Sequence, residues 1–203
     1  MPRKPLIRTS EAPYHITIRC NNREWFGLPM GLVWRICLES LAYAMMKHPV
    51  QIHAFVLMSN HYHLLVQTPN SDIDLYMRFL NASISKGIRF QSGRINRIFG
   101  DRYRWSIVWD DYYYQTVIRY IYQNPISAGI VKRCEDYPFS TASYIVKDNP
   151  LPFTLSKDFL TEYKGWLQFI NDPLENREII TKAVSKPLFK LPVNRKSRRL
   201  MIS

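Results

Sequence analysis

Apolar and polar positions alternate along Tyr14-His15-Ile16-Thr17-Ile18-Arg19, the period of a half-buried strand, and the alternation stops at Asn21-Asn22-Arg23. Between Pro29 and Lys47 the apolar positions Leu38, Leu41, Ala42 and Met45 recur at helical spacing, and His48-Pro49 closes that helix. Two apolar runs follow, Gln51 to Leu57 and His61 to Gln67. The short turn Met58-Ser59-Asn60 between them predicts a β-hairpin. A second helix is expected from Asp72, a suitable N-cap, with Tyr76, Phe79, Leu80, Ile84 and Ile88 as its buried stripe. Arg89 to Trp105 reads as a loop and Trp105 to Trp109 as a fourth strand. A third helix, capped by Asp110 or Asp111, runs to Asn124 and is stopped by Pro125.

The order β-α-β-β-α-β-α predicts an α+β fold, a mostly antiparallel sheet with helices on one face and ferredoxin-like in outline. After Gly129 the pattern is irregular. Past Val146 come prolines, a candidate helix at Ser156 to Phe169, another near Leu174 to Ala183, and a basic end from Lys186 to Arg199. The chain divides into residues 1–145, a domain with a basic N-terminal arm, and residues 146–203, a partly helical extension with a basic tail.

Composition narrows the partner. Among 203 residues, 28 Lys and Arg face 16 Asp and Glu, a net charge of +12, and 14% of the chain is aromatic. Such a surplus favours a polyanion, nucleic acid first and an anionic membrane surface second. No apolar run approaches the roughly 20 residues of a spanning helix. The basic start Met1 to Arg8 has no apolar stretch after it, so a cytoplasmic protein is expected. Cys20, Cys37 and Cys134 match no zinc or redox spacing and are expected to be reduced and buried.

The chemistry concentrates at the hairpin. On a strand, His61 and His63 project to one side while Tyr62, Leu64 and Val66 project to the other, so the two imidazoles form half of a metal site on an open face. His15 suits the sheet better than a ligand role. In the third helix Tyr120 and Asn124 stand four apart and share a face. Two imidazole nitrogens with one amide oxygen make a mixed, fairly hard set with open positions, suited to Mg²⁺ or Mn²⁺ and less to Zn²⁺ without thiolates. Tyrosines in helices usually pack, and Asn124 equally suits a helix C-cap before Pro125. The arginines interleaved with aromatics between Arg89 and Trp105 suit single-stranded nucleic acid, with guanidinium groups on phosphates and rings on bases, or a solvated connection. Candidate contacts are Arg3, Lys4, Arg8, Arg19, Arg23, Arg89, Arg94, Arg97, Arg102 and Arg104.

These residues resemble a known family. The hairpin is similar to the His-hydrophobic-His motif of the HUH endonucleases. Tyr120-Ile-x-x-Asn124-Pro125-Ile-Ser-Ala-Gly129 resembles the tyrosine helix of the IS200-like single-tyrosine (Y1) transposases, and more narrowly of their REP-associated subfamily. Ala54 to Asn60, Tyr14-His-Ile-Thr, Asn22-Arg23, Tyr137-Pro-Phe-Ser140 and Ser143-Tyr144 agree, so the likeness runs to Tyr144; Tyr62 and Ser59 are its small departures. The resemblance implies the HUH endonuclease fold, Tyr120 as nucleophile and a metal held by His61, His63 and Asn124. It also implies a 5′-phosphotyrosine intermediate with a free 3′-hydroxyl, a step that reverses without ATP. Implied substrates are single-stranded or hairpin DNA flanked by a guide tetranucleotide, acted on by a monomer or homodimer. The alternative is a catalytically weak hairpin-binding protein or regulator.

Overall fold

The structure, a computed structural model, describes residues 5–156 and 165–191. Arg3, Lys4, most of the helix expected at 156–169 and the basic end after residue 191 lie outside the described residues. Along the chain run β1 (Tyr14–Arg19), α1 (Met30–Lys47), β2 (Gln51–Leu57), β3 (His61–Gln67), α2 (Ile73–Ser92), β4 (Arg104–Ile107) and α3 (Asp111–Tyr122). Four short helices follow: α4 (Asn124–Ser127), α5 (Thr141–Val146), α6 (Trp166–Asn171) and α7 (Arg177–Ala183). The strands form one antiparallel sheet in the order β2-β3-β1-β4.

Elements form where their residues favour them, with instructive differences. Asp110 caps α3 by accepting from the backbone N–H groups of Tyr112 and Tyr113 at 2.9 and 3.3 Å. Asp72 stands at the N-cap of α2 but does not cap it, because its carboxylate is drawn to His48 Nδ1 at 2.8 Å. The loop expected from Arg89 begins later. α2 runs on to Ser92 and ends where Gly93 adopts φ 66°, the left-handed cap that glycine accommodates. Pro125 does not terminate the helical path. It sits in the first turn of α4, where its missing N–H costs nothing. Within the stretch read as irregular, Ser140 caps α5 by accepting from the Ala142 N–H.

Helices cover both faces of the sheet, whereas the element order predicted them on one. Tyr14, Ile16, Ile18, Tyr62, Leu64 and Val66 pack with α1 and α2. Ala54, Val56 and Leu65 pack on the opposite face with Val117 and Ile121 of α3 and with Trp166, Ile170 and Ile180 of the last two helices. The physical reason is written in β2, which is buried continuously after Gln51 and so has no polar face to give to water. A bulge between Ile52 and Ala54 turns His53 toward α3, where its Nδ1 meets the Tyr114 hydroxyl at 2.8 Å.

Candidate active site

β1 and β3 align three histidines under α3. His63 stands opposite Thr17 and His61 opposite Arg19, while His15 lies one pleat along the same face, opposite Leu65. The pair is therefore not carried into the open. His63 is 5% exposed and His15 1%, both covered by α3, with His61 half-buried. The His61 and His63 rings meet at 5.1 Å between centroids.

Each imidazole of the pair is oriented through its Nδ1. Asn60 donates its amide Nδ2 to the Arg23 carbonyl at 2.8 Å, which turns its Oδ1 toward His61. His61 Nδ1–H then donates to that oxygen at 2.8 Å, leaving the Nε2 lone pair free to bind a cation. His63 Nδ1 lies 3.0 Å from His15 Nε2. Burial depresses all three imidazoles: His15 to about 3, His61 to about 4 with Arg19 adding to the effect, and His63 well below the ordinary value. They are neutral at physiological pH, as ligation requires.

From α3 above them descends Tyr120, 6% exposed, its ring edge-on to His15 at 5.9 Å and to His63 at 5.8 Å. The neighbouring tyrosines face elsewhere: Tyr113 packs on Phe189, Tyr114 on His53 and Tyr122 on Trp166. One turn after Tyr120, Asn124 donates Nδ2 to the carbonyls of Tyr120 and Ile121 at 2.8 and 3.2 Å. The amide thus caps the end of α3 and directs its oxygen outward. That oxygen accepts from Arg177 Nη2 at 3.1 Å, and the same guanidinium lies 4.7 Å over the Tyr120 ring.

The donor chemistry fits a divalent cation of moderate hardness: two neutral imidazoles, Nε2 of His61 open to the ion, and an amide oxygen that would exchange Arg177 for it. Among the described residues no three His, Cys, Asp or Glu side chains converge as a metal cluster, so an ion held by His61 and His63 would draw its third donor from an amide such as that of Asn124. All three cysteines are buried and free, and burial pushes Cys20 and Cys134 up to about 12, which leaves no thiolate. Three functional candidates escaped the sequence pattern. His15 reads as an ordinary strand residue, Asn60 as a turn residue, and Arg177 lies 53 positions beyond Asn124 with no motif around it.

On the α2 side of the sheet, at its β4 edge, opens a cleft of about 1080 Å³ lined by Arg8, Arg78, Arg89, Arg97, Arg102 and Arg104. Phe99, Tyr103 and Trp105 add aromatic surface, and Asp74 and Asp101 are its acidic residues. Five of the ten basic residues expected to meet nucleic acid gather here. Arg8 is held by Asp74 through two hydrogen bonds of 2.9 Å. Arg94 stands outside the cleft, paired with Glu24 at 2.7 Å. Arg19 and Arg23 lie near the histidine pair instead. Arg104 is opposite Thr17, which is opposite His63, so one cross-strand row on the histidine face leads from the cleft's edge to the histidines.

No described helix is long and apolar enough to cross a membrane. Residues 8–124 match the family of IS200-like transposases, a segment that contains His61, His63, Tyr120 and Asn124. A protein of Escherichia coli named REP-associated tyrosine transposase is 30% identical over 51% of this chain. A Haemophilus influenzae protein named for the same activity is 26% identical over 52% of it. The aligned parts span 67% and 66% of those two relatives. In structure, the chain superposes with a TM-score of 0.62 and 22% identity on a REP-associated tyrosine transposase solved bound to a REP hairpin, over 77% of this chain and 93% of that one. With residues 8–124, more than half its length, matched by that family's model, the chain belongs to the IS200-like transposase family.

Proposed function

We propose that this protein is a metal-dependent single-strand DNA endonuclease and strand transferase that acts on REP-type hairpin DNA through Tyr120. The observation that carries this reading is the convergence of Tyr120 on His63, with the Asn124 oxygen one turn away and every imidazole neutral. The Tyr120 oxygen attacks phosphorus, the bond from phosphorus to the 3′-oxygen breaks, the phenolic proton is lost, and the departing 3′-oxygen gains one. The product is a 5′-phosphotyrosine that a 3′-hydroxyl can attack in reverse. Mg²⁺ or Mn²⁺, held by His61, His63 and Asn124, would supply positive charge against the non-bridging oxygens. Arg19, exposed beside the pair, adds positive charge where the strand arrives. The arginine cleft and the Arg104 row support a DNA path that wraps the β4 edge from the α2 side to the catalytic face.

One observation favours a second reading, a hairpin-binding protein with weak turnover. Arg177 covers Tyr120 and occupies the Asn124 oxygen. A denaturing gel of the protein with a REP-type hairpin oligonucleotide and Mn²⁺ separates the two. Endonuclease chemistry yields a covalent protein–DNA adduct that Tyr120→Phe does not form; binding without an adduct supports the second reading, and an undiminished adduct from Tyr120→Phe refutes the assignment of the nucleophile.

A further inference from the structure

His63 differs from His61 in what fixes it. The partner of His61 has its polarity set by the Arg23 carbonyl, so only one tautomer of His61 is satisfied. The partner of His63 is another imidazole, which can either donate or accept through the 3.0 Å contact. If His15 Nε2 carries the proton and donates, His63 must carry its own proton on Nε2, and its lone pair is spent inside the sheet. If His63 Nδ1 donates to His15, Nε2 of His63 is open and the proton of His15 sits on its Nδ1. That atom is buried and has no hydrogen-bond partner among the described residues.

Across the sheet, the position facing His15 on β4 is Ser106, whose side chain projects from the same face one strand away. Ser106 is fully buried, and its Oγ is likewise without a partner among the described residues. Two buried polar groups without partners among the described residues thus stand on directly opposed residues, not hydrogen-bonded to each other, and because a serine hydroxyl can accept or donate, Ser106 suits either tautomer of His15. Every such group left unpaired is destabilising, because it gives up its hydrogen bonds to water without replacement. A strand interior filled for packing alone would hold apolar residues at both positions, as the facing pair Ile16 and Trp105 does on the other face.

We infer that His15, through its buried 3.0 Å contact, is a positioning residue for His63, holding it in the tautomer with the proton on Nδ1 so that Nε2 points at the cation. The contact of His15 with His63 does for the second imidazole what the contact of Asn60 with His61 does for the first. This positioning role rests on the reading of His61 and His63 as ligands, and on nothing about the DNA.

The test measures Mn²⁺ affinity of the full chain without DNA, by titration calorimetry, beside the ¹⁵N tautomer pattern of His63 in the metal-free protein at pH 7.5. His15→Phe keeps the ring's bulk but removes the acceptor, and should weaken Mn²⁺ binding about 10- to 100-fold. His15→Gln restores an acceptor oxygen and should recover most of that loss. Wild-type affinity in a folded His15→Phe, or His15→Gln binding no better than His15→Phe, overturns the proposal. If His15→Phe does not fold, the wild-type spectrum decides: a proton on Nδ1 of His63 supports the proposal and a proton on Nε2 overturns it. A wild-type protein that binds no Mn²⁺ while His63 shows the Nδ1 proton would refute the ligand reading and leave the His15–His63 hydrogen bond standing as structure alone.

Discussion

The guanidinium of Arg177 lies 4.7 Å over the ring of Tyr120 and donates to the Asn124 oxygen at 3.1 Å, so one side chain covers the proposed nucleophile and holds the amide that would complete the ligand set. Burial lowers its pKa, and Nη1 is buried without a partner among the described residues, so the group is not in an ideal resting place. Arg177→Ala removes a competitor worth about one hydrogen bond, roughly 0.5 to 1.5 kcal/mol. The Mn²⁺ concentration for half-maximal adduct should fall about 3- to 10-fold. A higher requirement in that variant would instead make Arg177 a helper of the chemistry.

Much of this arrangement is legible in the sequence, and the remainder is hidden for definite reasons. The period of two in β1 and β3 puts His61 and His63 on one face and Tyr62, Leu64 and Val66 on the other, as observed. What it does not disclose is which element covers the histidine face, so a pair read as open proves to be roofed by α3. The clue was in β2, whose unbroken apolar run from Ala54 to Leu57 demands cover on both sides. His15 is hidden differently: strand position fixes its face, but only the pairing of β1 with β3 brings its ring to His63. Arg177 comes from outside the matched segment and reaches the site purely by tertiary packing.

Acid should unfold this protein early. His15 is held to about 3 and His61 to about 4, both by burial first, against an ordinary value near 6.5. Between those limits the unfolded chain binds protons that the folded chain does not, so stability rises with pH there. The contribution is complete above about pH 6.5 and is lost as pH falls toward 4, by at most about 1.4 kcal/mol per pH unit for each group. Urea midpoints at pH 7.5, 6 and 5 should decline in that order. A flat profile would mean that the imidazoles are already charged or solvated in the folded state.

The arginines separate by their partners. Arg78, Arg97 and Arg102 are exposed and line the cleft, whereas Arg94 stands outside it and is neutralised by Glu24. Alanine at any of the three should weaken hairpin binding and lower the slope of log K against log salt by about 0.7 to 0.9 for each phosphate no longer neutralised. Arg94→Ala should leave both nearly unchanged. Equal losses at all four positions, measured by fluorescence anisotropy across a salt series, would argue for diffuse attraction rather than a path through the cleft.

Asn124 joins fold and chemistry in one side chain, and the two roles can be pulled apart. Its Nδ2 donates to the carbonyls of Tyr120 and Ile121, closing the C-terminal end of α3, and its Oδ1 is turned outward to Arg177. Asn124→Ala forfeits both, with a stability loss of about 1 kcal/mol and no detectable adduct. Asn124→Asp keeps an oxygen at the site but surrenders the donor, so the cap is lost to a similar extent while a carboxylate is offered to the cation. That variant should melt near the alanine protein yet bind Mn²⁺ at least as tightly as wild type, because a charged oxygen is the harder ligand. If Asn124→Asp matched alanine in Mn²⁺ affinity as well as in stability, Asn124 would be a helix cap and nothing more, and the third ligand would have to be sought elsewhere.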